Sequence, residues 1–137
     1  MSSNGLRFKP ITIVGQAYNN QTTSEWSVAA SSALISHADL VQLTANGVVL
    51  TAGDGGANNL GTLNGVFYTD ATTNKPTWSN YSPASNTATD IVAFVTDNPQ
   101  QMYEVMSADT AFNQNEVGGC ADQVGDAGTS PLYISKA

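Results

Sequence analysis

Apolar residues in this chain come in runs of four to seven residues bounded by turn-forming residues, and no long stretch has the spacing of an amphipathic helix. The clearest runs are Leu40–Thr44, Val48–Thr51, Leu63–Thr69 and Ile91–Thr96. Short runs separated by turns are typical of all-β domains. The pattern predicts a mainly β fold, a single small barrel or sandwich domain, with one or two short helical turns.

The dipeptide Asn46-Gly47 lies between two of these runs and predicts a β-hairpin. Both residues tolerate the positive φ that a two-residue type I′ turn requires. The second strand leads into a glycine-rich stretch at residues 53–61, which lacks the glycine spacing and the Lys-Ser/Thr pair of phosphate-binding motifs. We therefore interpret that stretch as a flexible connector.

The chain has 137 residues, the length of a single domain. Pro10 removes a backbone donor, so the segment around it is an edge strand or an extended arm. We therefore divide the chain into an extended amino-terminal arm over residues 1–15 and a β-rich domain over residues 16–137. Within the domain, Ile91–Thr96 is the most β-branched and apolar run, and we expect it to form a buried central strand.

Two further local structures are predicted from turn-forming residues. Asp70–Pro76 has the composition of a hairpin tip, and a short aromatic strand is expected after it at Thr77–Tyr81. The residues Asp97-Asn98, followed by Pro99, supply a capping side chain and a proline suited to the first helical position. They predict one helical turn over Pro99–Met102.

The charge of the chain excludes two classes of partner. Four lysine and arginine residues stand against eleven aspartate and glutamate residues, which gives a net charge of −7. Nucleic-acid binding requires several phosphates to be neutralised by cationic side chains, and an anionic membrane surface attracts basic segments. We therefore expect neither nucleic acid nor membrane as a partner.

The sequence offers few candidates for catalytic or metal-ligating residues. His37 lies two residues before Asp39, a spacing at which strand side chains share a face, but no nucleophile motif accompanies the pair. The single cysteine, Cys120, cannot form a multi-thiolate zinc site, and the spacing of Asp122 and Asp126 is not that of a calcium-binding loop. We predict no catalytic residue, no metal site and no cofactor, and a small hydrolase centred on His37 is the least favoured alternative.

Several segments of the chain carry a family resemblance. "DLVQLTANGVVLTAGDGGANNLGTLNGV" at residues 39–66 resembles the middle of the lambda-type head decoration proteins of tailed phages. The segments "GLRFKP", "HADLVQLTANG", "GVFYTDATTNKPTWSNY" and "DIVAFVTDNPQQMYEV" are similar to the small capsid decoration, or cement, proteins of marine phages. The most specific feature is the stretch at residues 65–70 followed by "KPTW" at residues 75–78.

This resemblance implies a virion protein that is made in the host cytoplasm and binds the outer surface of the assembled capsid. In lambda-type proteins an extended amino-terminal arm joins the β-structure of a capsid subunit, and the subunits trimerise at three-fold sites. The implied partners are the major capsid protein and copies of the chain itself. The implied function is non-enzymatic: the protein stabilises contacts between major capsid protein subunits.

Alternating apolar and basic residues in the arm fit such a contact. A strand that adds to an exposed sheet edge is held by backbone hydrogen bonds, and alternate side-chain pockets fix its register. We assign the capsid contact to five arm residues: Leu6, Arg7, Phe8, Lys9 and Pro10.

Trp78 and Tyr81 are assigned to a subunit interface or an exposed surface, because tryptophan and tyrosine often anchor interfaces. Together with Trp26 they also support an alternative function. In that alternative the chain is a carbohydrate- or host-surface-binding β-module displayed on a virion, and its aromatic faces stack on pyranose rings.

Overall fold

A computed structural model describes residues 8–16, 22–30, 32–50, 59–105 and 113–119. This part of the chain contains eight strands: β1 (Lys9–Ile13), β2 (Ser24–Ser27), β3 (Leu40–Thr44), β4 (Gly47–Leu50), β5 (Asn59–Thr69), β6 (Pro76–Ser79), β7 (Val92–Thr96) and β8 (Gln101–Glu104). A single 3₁₀ turn follows at Gln114–Glu116. The fold is therefore mainly β, as the sequence pattern predicted.

Six of the strands form one antiparallel sheet in the order β2-β7-β5-β3-β4, with β6 paired to the end of β5. β5 is 11 residues long, so β3 and β6 pair with its two ends on one side while β7 lies along the other. The sheet curls until Val28, just after β2, meets Val48 of β4 at a single parallel bridge. Within the described residues this sheet does not close into a barrel, and with the two-stranded sheet formed by β1 and β8 it makes a small sandwich-like domain.

The hydrophobic core lies on the inner face of this curled sheet. Its side chains come from alternate positions of the strands and from the segment before β3, because successive strand residues point to opposite faces. Partly buried residues, among them Trp26 and Val28, pack against it. The buried cluster consists of Ile35, Val41, Val48, Leu63, Val66, Tyr68, Ile91, Ala93 and Val95.

Strand β7 is the buried central strand that the β-branched run predicted. It pairs with β2 on one side and β5 on the other. Ala93 and Val95 are fully buried on the core face, whereas Val92 and Phe94 on the opposite face remain half-buried. The prediction of a central strand over Ile91–Thr96 is confirmed, with the strand beginning one residue later.

The hairpin predicted at Asn46-Gly47 is present, but its turn differs from the prediction. Thr44 pairs with Gly47, so the two residues between the strands are Ala45 and Asn46. The backbone φ of Asn46 is not positive, whereas that of Gly47 is, at 123°. The Thr44 hydroxyl donates to the Gly47 carbonyl (2.7 Å) and accepts from the Asn46 amide (3.3 Å), which stabilises this alternative turn.

The hairpin tip predicted over Asp70–Pro76 joins β5 to β6. The Asp70 carboxylate accepts hydrogen bonds from the backbone amides of Thr72 (2.8 Å) and Thr73 (3.0 Å). Asp90 accepts from the Thr69 amide at 3.1 and 3.2 Å, so a second carboxylate holds the end of β5. The aromatic strand predicted after the tip is β6, at Pro76–Ser79 rather than Thr77–Tyr81.

These two carboxylates predict how stability depends on pH. Backbone hydrogen bonds from Thr73 and Thr72 lower the pKa of Asp70, and side-chain and backbone hydrogen bonds from Thr69 lower the pKa of Asp90. A lowered folded-state pKa contributes stability above the unfolded value of about 4, and that contribution is lost as pH falls through the folded value.

We therefore expect the midpoint of thermal unfolding to fall as the pH is lowered below about 4. In a doubly substituted protein, D70N with D90N, the midpoint should be lower at pH 6 and should fall less between pH 4 and pH 2.5. Parallel pH dependence of the two proteins over that range would show that these carboxylates do not contribute.

Strands β1 and β8 form a separate two-stranded antiparallel sheet. The predicted helical turn over Pro99–Met102 is wrong, because residues 101–104 belong to β8. The Asn98 side chain accepts the Gln100 amide (2.9 Å), and the Asn98 carbonyl accepts the Gln101 amide (3.0 Å). Asparagine side chains that bond the backbone two residues on favour turns over helices, so the chain reverses here and enters β8.

Candidate binding surfaces

The structure describes three of the five arm residues assigned to capsid contact. Lys9 and Pro10 belong to β1 and pair with Glu104 and Tyr103 of β8. The ring of Phe8 meets the ring of Tyr103 edge to face, with centroids 6.3 Å apart. Lys9 is exposed and Phe8 is half-buried. The carboxyl-terminal part of the arm is therefore anchored to the domain, and the remaining two assigned residues, Leu6 and Arg7, lie outside the described residues.

A polar junction connects the anchored arm to the six-stranded sheet. The Tyr103 hydroxyl donates to the Thr96 carbonyl at the end of β7 (3.0 Å). Burial raises the pKa of the Tyr103 phenol; a side-chain hydrogen bond with Thr62 opposes that rise, and the Asp97 carboxylate adds to it. The phenol therefore stays protonated and continues to donate at neutral pH.

Trp26 has a structural role next to this junction. Its indole Nε1 donates to Asp97 Oδ2 (3.1 Å), and the Ser24 hydroxyl donates to Asp97 Oδ1 (2.9 Å). Trp26 pairs with Ala93, whose side chain lies in the core, and Trp26 itself packs against that core. Its ring is therefore directed to the inner face of the sheet.

Trp78 lies on the opposite, outer face of the sheet. It pairs with Phe67, and Phe67 pairs in turn with Val92, so the three side chains form one cross-strand row. Trp78 also contacts the ring of Phe94, with centroids 5.2 Å apart and ring planes inclined by 52°. Trp78 is 54% exposed and Phe67 is 43% exposed. We call these four residues, Trp78, Phe67, Val92 and Phe94, the aromatic face.

The aromatic face depends on Gly65. In the register of the sheet Gly65 pairs with Phe94 and shares the outer face with Phe67. A Cβ atom at Gly65 would lie 2.5 Å from Cζ2 and 2.8 Å from Cη2 of Trp78, so the six-membered ring of the indole occupies the space above the glycine. The missing side chain allows the indole to lie against the backbone of β5.

An open groove of about 680 Å³ adjoins the aromatic face. Val92 belongs to both, and Ser27, which pairs with Val92 across β2 and β7, lines the groove. The other lining residues come from Val28 and Ala30 after β2 and from residues 86–91 before β7. The polar side chains of the lining are the hydroxyls of Ser27, Thr87 and Thr89, the Asn86 amide and the Asp90 carboxylate.

Tyr81 follows β6 in a bend and is half-buried. Its backbone amide donates to the Ser79 hydroxyl at 3.3 Å. The three aromatic residues of the carbohydrate hypothesis are therefore not on one strand face: Trp26 faces the core, Trp78 faces outward and Tyr81 lies beyond the strand. Phe67 and Phe94, which the hypothesis did not include, surround Trp78 instead.

His37 and Asp39 do not share a strand face. Ala38 between them has φ of 64°, which breaks the alternation that the spacing argument assumed. The His37 ring directs Nδ1 to the Asn64 carbonyl (3.1 Å), and Asp39 accepts the Ser36 amide through Oδ2 (2.7 Å). Asp39 is 2% exposed and therefore stabilises the buried chain reversal before β3.

Several other residues considered for chemistry lie outside the described residues. These are Cys120, Asp122, Asp126 and most of the glycine-rich connector. In the part of the chain that is described, no three histidine, cysteine, aspartate or glutamate residues are close enough together to bind a metal ion. No helix within the same ranges is long and apolar enough to cross a membrane.

Comparisons with protein-family models, with curated proteins and with solved structures found no match to this chain.

Proposed function

We propose that the chain is a non-enzymatic virion structural protein that binds the outer surface of a phage capsid and stabilises contacts between major capsid protein subunits. The observation that carries the proposal is the anchoring of the arm. Phe8 packs on Tyr103, and Lys9 and Pro10 are paired in β1. Leu6 and Arg7 therefore directly precede a segment that is fixed to the domain. The sequence resemblance to tailed-phage decoration proteins supplies the kind of partner.

The remaining features are consistent with a passive binder. A binder that recognises only the assembled capsid stabilises it by mass action, and no reaction is needed. His37 and Asp39 are engaged with backbone groups of the domain, which supports a structural role for both. Charged residues are 11% of the chain, so a capsid contact would be made mainly by neutral polar and apolar groups.

A fixed anchor lowers the cost of ordering the arm on the capsid. Ordering a residue costs about 1–2 kcal/mol in backbone entropy, and residues that are already paired in β1 do not contribute to that cost on binding. The weak affinity of one short arm is multiplied when copies of the protein bind a repeated lattice or associate with each other. Copies of the chain, arranged as a trimer at three-fold sites, are thus a second proposed partner.

The test compares two full-length variants on empty expanded capsids assembled from the corresponding major capsid protein. L6S combined with R7S removes the apolar and cationic side chains that precede the anchor but leaves β1 unchanged. Burial of a leucine side chain is worth about 1.5–3 kcal/mol, so we expect the affinity for capsids to fall at least about tenfold.

The matched control is L43S, at a residue that is 49% exposed at the end of the β3–β4 hairpin. It should bind capsids with wild-type affinity. If the double variant coats capsids at wild-type occupancy and affinity, the arm is not the capsid contact.

A further inference from the structure

The aromatic face has the properties of a preorganised binding platform. The indole of Trp78 is held on one side by Gly65 and Phe94, yet more than half of its surface remains exposed. A ring that is held in place before binding loses little conformational entropy when a ligand stacks on it. Phe67, in the adjacent register position, extends the exposed aromatic surface towards β7.

The groove next to the aromatic face supplies hydrogen-bonding groups. Ser27, Thr87 and Thr89 each have a hydroxyl that can both donate and accept. The Asp90 carboxylate already accepts the Thr69 amide, but a carboxylate has about four acceptor positions and retains capacity for ligand hydroxyls. A ligand that spans both surfaces therefore contacts the apolar face of the Trp78 ring at one end and the hydroxyl groups of the groove at the other.

The charges around both surfaces disfavour an anionic ligand. Glu25 pairs with Phe94 and is exposed at one side of the aromatic face, and Asp90 lines the groove. Lys75 and Asp70 belong to the same β5–β6 turn, where the Lys75 carbonyl accepts the Asp70 amide, so that turn contains one cationic and one anionic residue. Anionic ligands would be repelled by these carboxylates, and the surroundings offer no excess of positive charge for them.

We propose that the aromatic face and the adjoining groove form a binding site for a neutral saccharide, with Trp78 stacking on a sugar ring and the groove hydroxyls and Asp90 bonding to its hydroxyl groups. A saccharide is the ligand class that combines apolar ring faces with many uncharged hydroxyls. The site contains none of the arm residues assigned to the capsid. Binding of a saccharide therefore goes beyond the proposed function, and either proposal can fail without the other.

The experiment titrates the full-length protein with linear neutral hexasaccharides of different linkage: maltohexaose, cellohexaose, mannohexaose and chitohexaose. Calorimetry gives the affinity, and tryptophan fluorescence reports whether Trp78 is covered. We expect at least one of these probes to bind and to change the tryptophan emission. W78A should weaken that binding about tenfold, because an aromatic stacking contact and its buried area are lost. Hexagalacturonate, which is anionic, should bind more weakly than the neutral probe.

Two further variants separate stacking from folding. W78F retains a ring at this position and should recover part of the affinity, whereas M102A should bind like the wild type. Met102 is a matched control because it is 45% exposed on β8, in the other sheet. Absence of binding to all four neutral probes would overturn the proposal, as would equal affinity of W78A and the wild type. If W78A instead impairs self-association or capsid binding while no saccharide binds, the aromatic face is a protein interface and the proposal is wrong.

Discussion

Replacing Gly61 with alanine should destabilise the fold by about 3 kcal/mol, near the upper end of the usual range for point substitutions. Gly61 lies in β5 where that strand passes the end of β7. An added Cβ would collide with the Thr96 carbonyl oxygen and would lie 2.8 Å from its carbon and 3.0 Å from the Cα of Asp97. The strands cannot separate to relieve the collision, because the next residue, Thr62, is paired with Thr96.

Urea denaturation measures this change as a lower midpoint at an unchanged m-value. Because the collision involves main-chain atoms of residue 96, a second substitution, T96S, should not restore the lost stability. A free energy of unfolding for G61A within about 0.5 kcal/mol of the wild type would show that the strands do not approach this closely.

Replacing Gly47 with alanine should also cost about 3 kcal/mol, from two separate causes. Gly47 has φ of 123°, a backbone conformation that costs roughly 1–2 kcal/mol for a residue with a side chain. Its Cβ would also lie 2.7 Å from the Ser27 carbonyl oxygen and 2.9 Å from the Ala29 amide nitrogen. The second cause exists because the two edges of the curled sheet meet here, where the Ala29 amide donates to the Val48 carbonyl.

Gly15 provides the matched control for the first cause alone. Its φ is 84°, but no atom lies within 4 Å of an added Cβ. G15A should therefore cost only about 1 kcal/mol. The difference between the two substitutions in urea denaturation measures the close approach of β4 to residues 27–29. Equal losses of stability for G47A and G15A would contradict that packing.

The central elements of the fold could be predicted from the sequence because their signals are local. A β-branched run such as Ile91–Thr96 favours a strand in any surroundings, and Asn46-Gly47 marks a chain reversal between two strands. The details of turns were less predictable. Thr44 and Asn98 use their side chains to bond nearby backbone groups, and these bonds select one turn among several that the residue types allow.

The aromatic face could be predicted only in part. The sequence identifies Trp78 as an interface or surface candidate because tryptophan residues often anchor interfaces. Phe67 and Phe94 lie within apolar runs, and their outward orientation depends on the strand register and on the bulge between Leu63 and Gly65. Register arises from long-range pairing, so the sequence pattern does not reveal that Gly65 makes room for the indole.

The pairing that anchors the arm is also a long-range feature that the sequence pattern does not reveal. Alternation of apolar and basic residues up to Pro10 predicted an extended segment, which β1 confirms for Lys9 and Pro10. The partner strand, β8, lies about ninety residues further along the chain, at Gln101–Glu104. A pairing between strands so far apart has no local signal in the sequence, and it decides which arm residues are fixed to the domain.

The most direct test of the capsid proposal is co-sedimentation of the purified protein with empty expanded capsids and, in parallel, with unexpanded capsids of the same major capsid protein. We propose that the subunit contacts stabilised by the protein are those of the expanded shell. We therefore expect saturable binding to expanded capsids, with a fixed number of copies per capsid, and little binding to unexpanded ones. Absence of binding to expanded capsids, or equal binding to both forms, would contradict a protein that stabilises the expanded shell.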